Sequence, residues 1–185
     1  TERVADWAQR GEVRPVAGRQ LFVYERPGEG TPLLFLHGYP SSSYDWRLVF
    51  ELLPGRHLIT FDFLGYGLSD KPRDAVYSLM LQADLVEAVA DGREVHLIAH
   101  DMGSSVATEV LARDIEGRLT FGLRSALLTN ASLVLEKASL TISQKVLRSP
   151  LGPLFARLSN ERSFRLQFAR IFSSAHPLSP AEASD

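Results

Sequence analysis

The chain has 185 residues and no cysteine, and Lys and Arg (20) nearly balance Asp and Glu (22). Without cysteine, disulfides, thiolate chemistry and cysteine-ligated metals are excluded. A net charge of −2 gives no sign of a nucleic-acid-binding surface or a charged tail. No uninterrupted apolar run approaches the ~20 residues that span a membrane. The charged N-terminus lacks the apolar core of a signal peptide. We therefore expect a cytoplasmic globular protein that binds neither nucleic acid nor membrane.

Apolar segments alternate with segments of helical periodicity along most of the chain. Strands are predicted at 20–24, 32–36, 57–63, from Val95 into the following turn, and at 123–129, and helices at 43–53, 79–90 and 103–115. Continuous apolar runs are typical of strands buried on both faces of a parallel sheet. The alternation predicts an α/β fold with a mostly parallel sheet and flanking helices.

The most informative segment runs from Val95 to Ala107. An apolar strand-like run meets a small-x-acid-x-Gly turn and continues at once as a helix, which is the layout of a nucleophile elbow. Ala99 and Gly103 provide the small side chains such a turn needs. Asp101 takes the central position, where serine is usual. Because a carboxylate is already deprotonated at neutral pH, Asp101 could attack carbon directly and form an ester that water must cleave.

The same pattern also fits an ordinary helix N-cap. Aspartate is a favoured N-cap residue, and Asp101 would suit a helix beginning near Met102. On this motif alone the two interpretations are equally open. A serine nucleophile is a third candidate, but Ser104 and Ser105 fall inside the predicted helix rather than at the turn.

Two further loops follow predicted strand ends, where the active sites of parallel sheets lie. In the segment His37–Pro40, Gly38 permits close approach of a ligand, and the Tyr39 N–H is a candidate oxyanion donor. The second donor would be the Met102 N–H at the start of the elbow helix. The alternative for His37 is a tight turn in which it only bonds backbone. The Gly-rich loop 62–70 is expected to have a structural role.

These motifs resemble those of a known family. They are His37-Gly38-Tyr39-Pro40, Ser42-Ser43-Tyr44-Asp45-Trp46, Gly65-Tyr66-Gly67-Leu68-Ser69-Asp70 and His100-Asp101-Met102-Gly103. In order and spacing the chain is similar to the α/β-hydrolase superfamily from about Leu21 to its end. The nearest branch is the lidded one with an Asp nucleophile, which includes epoxide hydrolases, haloalkane dehalogenases and mesoderm-specific-transcript-like proteins. The resemblance implies that Asp101 attacks an electrophilic carbon and that a histidine activates water on the ester.

The candidate pocket residues are His37, Gly38, Pro40, Trp46 and Asn130. Asn130 ends the strand next to the elbow strand, where it could reach the site, although such an asparagine more often only caps a turn. The sequence departs from each subfamily. Where haloalkane dehalogenases usually carry a halide-binding Trp, and fluoroacetate-type enzymes an Arg, Met102 stands here. Haloalkane dehalogenases also tend to have Asn or Glu in place of Tyr39. Epoxide hydrolases use lid tyrosines to protonate the opening epoxide, yet no Tyr follows Tyr77 in this sequence.

Past Asn130 the sequence changes to pieces rich in Leu, Phe and Arg. Helices are predicted at about 140–148, 151–158 and 163–172, and another begins at Ser179. They fit a lid over the sheet or an amphipathic membrane-surface segment. We favour the lid, because ordinary amphipathic helices are far commoner. The predicted domains are the N-terminal part of an α/β-hydrolase core at 1–132 and the start of a helical cap at 133–185.

The 185 residues do not supply the general base. In the superfamily it is a His after the last strand, paired with an acid after the preceding one, and neither region is in this sequence. His57 and His96 fall within predicted strands, His100 is expected on the other side of the turn from Asp101, and His176 lies in the lid segment. We therefore expect this sequence to be part of a longer enzyme.

Two classes of function follow. The first is a hydrolase that acts through an aspartyl ester on a small apolar electrophile, an epoxide first and an alkyl halide as the alternative. The second is a catalytically incomplete hydrolase-fold binding module, although an unpaired sheet edge would make such a module prone to aggregate. No metal or organic cofactor is called for, and a monomer or homodimer is expected.

Overall fold

The computed structural model describes residues 2–131 and, beyond them, the isolated positions 145, 146, 149, 150, 152, 157, 175, 177 and 179. The chain divides into one compact unit at Glu2–Leu133 and another at Val134–Asp185, to which Thr1 is assigned. In the second unit the Ser149 N–H donates to the Val146 carbonyl at 3.0 Å, which forms a turn. The predicted helices of the cap segment otherwise lie outside the described residues.

A six-stranded sheet organises the first unit. Its strands are β1 (Glu12–Val16), β2 (Arg19–Arg26), β3 (Glu29–Leu36), β4 (Arg56–Phe61), β5 (Glu94–His100) and β6 (Gly122–Thr129). They lie in the order β1-β2-β4-β3-β5-β6. Strand β2 is antiparallel to both of its neighbours, whereas β4, β3, β5 and β6 are parallel. The predicted mostly parallel α/β sheet is confirmed.

Within residues 2–131, four α-helices accompany the sheet. They are α1 (Glu2–Arg10), α2 (Arg47–Glu51), α3 (Leu79–Ala90) and α4 (Met102–Ile115), with a 3-10 turn at Ser43–Trp46 before α2. The Ser78 hydroxyl accepts the Leu81 N–H at 3.1 Å and so caps α3, and Asp91 in the left-handed region ends it. None of the helices in the described part of the chain is long and apolar enough to cross a membrane.

The described residues form two apolar clusters on the sheet, and successive residues of β3 alternate between them. Leu34 and Leu36 belong to the larger cluster, which also takes residues from α3 and α4, while Phe35 belongs to the smaller. In the smaller cluster Trp7 of α1 stacks on Tyr24 with ring centroids 4.9 Å apart. This alternation is the period-two pattern of a strand covered on both faces.

Several element boundaries differ from the sequence-based expectation. Helix α1 and strand β1 were not predicted, and the predicted helix 43–53 is a 3-10 turn followed by the short helix α2. The strand predicted at 57–63 ends at Phe61, because the next residues turn into the Gly-rich loop. Helix α3 has the predicted bounds, and α4 begins at Met102, one residue earlier than expected.

The topology fixes where chemistry can occur. Strands β3, β4, β5 and β6 are parallel neighbours, so the loops that follow them leave from one edge of the sheet. Those loops contain the segment His37–Pro40, the loop 62–70, Asp101 and Asn130. The fold therefore brings the sequence motifs to a common edge, as open parallel sheets generally do.

Candidate active site

Asp101 forms a sharp turn between β5 and α4. Its backbone has φ 49° and ψ −116°, a region that non-glycine residues rarely adopt and that costs roughly 1–3 kcal/mol. Two hydrogen bonds hold it there. The Asp101 N–H donates to the Thr129 carbonyl at 3.0 Å, and its own carbonyl accepts the Ser104 N–H at 3.0 Å. The backbone is thus the strained strand-to-helix turn of a nucleophile elbow.

Two glycines make this turn possible by letting backbones approach. A Cβ atom on Gly103 would lie 2.6 Å from the Leu36 carbonyl oxygen and 2.7 Å from that of His37. A Cβ atom on Gly38 would lie 2.8 Å from the Asp101 Cβ. Any larger residue at either position would therefore push apart the segment 36–38 and the elbow.

The Asp101 carboxylate faces the His37–Pro40 loop rather than its own helix. Its Oδ2 accepts the Tyr39 N–H at 2.8 Å, and it makes no hydrogen bond to the first amides of α4, all of which are described. Asp101 thus occupies the N-cap position of α4, but its side chain does not cap the helix. Tyr39 N–H, predicted as an oxyanion donor, is aimed at the carboxylate, and Met102 N–H lies at the start of α4 among amides that lack an intrahelical acceptor.

The His37 ring bonds the backbone on both sides and so fixes the segment His37–Pro40. It is fully buried, its Nε2 accepts the Phe63 N–H at 3.0 Å, and its Nδ1 lies 2.8 Å from the Gly38 carbonyl oxygen. Since an amide N–H can only donate, the ring is the neutral tautomer with its proton on Nδ1. Burial lowers the pKa of His37 below its ordinary value, which keeps the ring neutral. His37 was predicted as a pocket residue, but it is fully buried and bonds backbone, which is the alternative that the sequence left open.

The Gly-rich loop after β4 is tied together by Asp62. This buried carboxylate accepts the Leu68 N–H at 2.7 Å and the Ser43 N–H at 2.8 Å. Gly65 and Gly67 have φ values of 94° and 46°. The predicted structural role of the loop is confirmed, and the Ser43 contact also joins it to the segment before α2.

Tyr66 in that loop reaches the elbow, which the sequence analysis did not anticipate. Its hydroxyl donates to the Met102 Sδ at 3.4 Å, and its ring meets the Tyr39 ring edge-on with centroids 6.3 Å apart. Burial, with Tyr39 and the Asp101 carboxylate nearby, raises the pKa of Tyr66 above its ordinary value. The available signal was a lone tyrosine in a turn that follows a strand's carboxyl end.

The other predicted pocket residues make no hydrogen bond to Asp101 among the described contacts. Pro40 follows a cis peptide bond after Tyr39, and Asn130 is exposed just beyond β6 in the left-handed region. Trp46 packs against Phe35 at 5.0 Å in the smaller apolar cluster. There it lines an open apolar groove of about 570 Å³ along β3, β5 and β6. Asp101 is not among the residues that line this groove.

The other nucleophile and base candidates within the described residues have structural partners. Ser104 is buried inside α4, and its hydroxyl donates to the Thr129 carbonyl at 2.9 Å. His57 Nε2 lies 2.8 Å from Glu25 Oε1, and His96 Nδ1 lies 2.7 Å from Ser125 Oγ. His100 points its ring edge-on toward Trp46 at 6.5 Å. His57 and His96 therefore bond residues of neighbouring strands. His100 Nδ1, by contrast, lies near the carboxylate, because it and Asp101 Oδ2 are each 3.1 Å from where a Cβ of Gly38 would stand. His176 lies outside the described residues.

Comparison with known proteins agrees with this architecture. The model of the Alpha/beta hydrolase family matches residues 33–183. The chain is 54% identical over 183 residues to the protein LipZ of Mycobacterium tuberculosis, covering 97% of this chain and 64% of LipZ. It is 37% identical over 169 residues to the human mesoderm-specific transcript homolog protein, covering 83% and 50%.

Haloalkane dehalogenases are also similar to this chain. The haloalkane dehalogenase of Agrobacterium fabrum is 33% identical over 151 residues, covering 79% of this chain and 49% of that protein. The crystal structure of haloalkane dehalogenase DatA from Agrobacterium tumefaciens C58 matches with a TM-score of 0.74 and 29% identity, covering 94% and 60%. The chain thus spans about half to two thirds of the length of these relatives. By its sequence match and its sheet, the chain belongs to the alpha/beta hydrolase family.

Proposed function

We propose that this chain carries the nucleophile half of a hydrolase that attacks an electrophilic carbon through an aspartyl ester on Asp101. The observation that carries the proposal is the hydrogen bond from Tyr39 N–H to Asp101 Oδ2 across the strained elbow. A capping aspartate would bond its own helix. A carboxylate held by one oxygen against a neighbouring loop is oriented for attack by the other.

The first step forms the ester. Asp101 Oδ1 bonds to the substrate carbon, the bond from that carbon to the leaving atom breaks, and the electron pair departs with the leaving atom. Because the elbow holds the carboxylate in one orientation, attack needs little reorganisation.

The second step cleaves the ester. Water adds to the Asp101 carbonyl carbon, the oxyanion accepts hydrogen bonds from the Tyr39 and Met102 N–H groups, and the alcohol leaves as the carboxylate re-forms. The family resemblance assigns activation of this water to a histidine outside these 185 residues. The Tyr39 N–H therefore serves both steps, first holding the carboxylate and then the oxyanion, and the Met102 N–H joins it in the second.

An epoxide is the leading substrate class, and an alkyl halide is the second candidate. Met102 offers no side-chain N–H to a halide where haloalkane dehalogenases usually carry Trp, which favours the epoxide. The similarity to proteins named haloalkane dehalogenases favours the halide. Either substrate would leave the same kind of ester on Asp101.

Mass spectrometry of the complete protein tests this proposal. We expect incubation with styrene oxide or 1-iodobutane, followed by acid quenching, to add the whole epoxide or the butyl group to the peptide that contains Asp101. Asp101→Asn should show no adduct. Asp74→Asn, which removes an exposed carboxylate in another loop, should label like the unmodified protein.

A single turnover in oxygen-18-labelled water distinguishes an ester from direct attack by water. An ester mechanism puts the label into the Asp101 carboxylate, because water attacks the carbonyl carbon. Label found only in the first product molecule, or no adduct from either probe, would contradict the proposal. An adduct that the complete protein never releases would support the ester but contradict a hydrolase.

A further inference from the structure

We propose that the Tyr66 hydroxyl is a catalytic residue that donates its proton to the leaving oxygen when Asp101 opens an epoxide. This inference rests on the proposed function of Asp101. It places the proton donor in the loop that follows β4, within the α/β core, rather than in the cap segment.

Tyr66 is placed beside the reacting carboxylate by two independent contacts. Its hydroxyl lies 3.4 Å from the Sδ of Met102, the residue directly after Asp101. Its ring also meets the ring of Tyr39, whose N–H holds the Asp101 carboxylate. The loop itself is fixed by Asp62 and by Tyr77, whose ring lies 2.7 Å from where a Cβ of Gly65 would stand.

The hydroxyl is available to a substrate because its present acceptor is weak. A thioether sulfur accepts hydrogen bonds poorly, whereas an alkoxide oxygen is a strong, charged acceptor. Rotation of the phenol O–H from Met102 Sδ to a developing alkoxide would therefore exchange a weak bond for a strong one. Tyr66 is also only partly buried, so a ligand can reach it.

The charge balance of the step favours proton release. Asp101 Oδ1 bonds to the ring carbon, the ring C–O bond breaks, and its electron pair stays on oxygen, which takes the Tyr66 proton. In the resting protein burial, together with Tyr39 and the Asp101 carboxylate nearby, raises the pKa of Tyr66, which keeps the donor protonated. Ester formation removes that negative charge as the proton is needed, and water later returns a proton to the phenolate.

The test compares leaving groups in the complete protein. We expect Tyr66→Phe to slow ester formation from styrene oxide about 100-fold or more, as loss of a general acid does. We expect it to slow ester formation from 1-iodobutane at most about tenfold, because iodide leaves without a proton and loses only a hydrogen bond. Tyr24→Phe, which removes a phenol hydroxyl in the smaller apolar cluster, should change neither rate.

The outcomes separate this inference from the proposed function. Equal slowing of both probes would reduce Tyr66 to a residue that positions Met102, and no slowing of either would remove it from the reaction. Both results overturn the inference while the ester on Asp101 stands. If the unmodified protein forms no ester, the proposed function itself fails.

Discussion

Replacing Gly103 with alanine tests whether the elbow depends on close packing of α4 against the end of β3. Inside a helix this change ordinarily stabilises a protein by about 0.5–1 kcal/mol. Here the new methyl group would lie 2.6 Å from the Leu36 oxygen and 2.7 Å from the His37 oxygen, below the 3.0 Å that real Cβ contacts respect. Both atoms are backbone, so neither can move aside by changing a rotamer.

Overpacking of this kind costs about 1–3 kcal/mol, so we expect Gly103→Ala to lose up to about 2.5 kcal/mol of stability after the helix gain of about 0.5–1 kcal/mol is subtracted. For a domain of this size each kcal/mol lowers the Tm by about 2–4 °C. Urea unfolding and thermal melting followed by circular dichroism would measure both. Ser105→Ala, two residues further along α4, is the matched control and should gain about 0.5 kcal/mol or less.

A shift of the backbone at Gly103 should also slow the reaction of Asp101. Displacement of the start of α4 by even a fraction of an ångström moves Asp101 against the Tyr39 N–H, and a 1 Å error can cost about 100-fold in rate. We therefore expect slower labelling of Asp101 in Gly103→Ala. If this variant is as stable as the unmodified protein and labels equally fast, the packing argument for the elbow is refuted.

Two further changes probe the groups that support the site. Arg113 bonds Asp84, Glu87 and Glu109 at 2.7, 2.6 and 2.9 Å with only 8% of its side chain exposed. Arg113→Met should cost about 1–3 kcal/mol in urea unfolding, because Glu87, which is 11% exposed, loses its charged partner and keeps only Thr120. A loss below about 1 kcal/mol would contradict this. The lowered pKa of buried His37 means that the unfolded chain takes up a proton near pH 6.5 while the folded ring stays neutral. Stability should therefore fall as the pH drops below 6.5, by up to about 1.4 kcal/mol per pH unit, and a pH slope in His37→Gln as steep as that of the unmodified protein would contradict the assignment.

The sheet and the elbow could be predicted because their signals are local. Continuous apolar runs marked β3, β4 and β5, and the small residues on either side of Asp101 marked the turn. Helix α1 could not be predicted in this way. Its apolar face consists of Val4, Trp7 and Ala8, of which only Trp7 is buried, and three apolar residues are too few to establish a helical period.

The choice between cap and nucleophile for Asp101 needed tertiary structure. Both interpretations share the sequence and the helix start, and they differ only in whether the carboxylate bonds its own helix or the Tyr39 N–H, 62 residues away along the chain. Tyr66 was missed for a related reason. The Gly and Asp residues of its loop explain the turn fully, and its approach to Met102 arises only where two loops meet.

One backbone carbonyl at the end of β6 accepts two hydrogen bonds from the elbow. The Thr129 carbonyl accepts both the Asp101 amide and the buried Ser104 hydroxyl, so the reactive turn is fastened to a strand that contributes no side chain to the Tyr39 contact. Peeling β6 from the sheet would release both bonds at once and let the turn relax out of its high-energy backbone state. The orientation of the Asp101 carboxylate therefore depends on β6 remaining paired in the sheet.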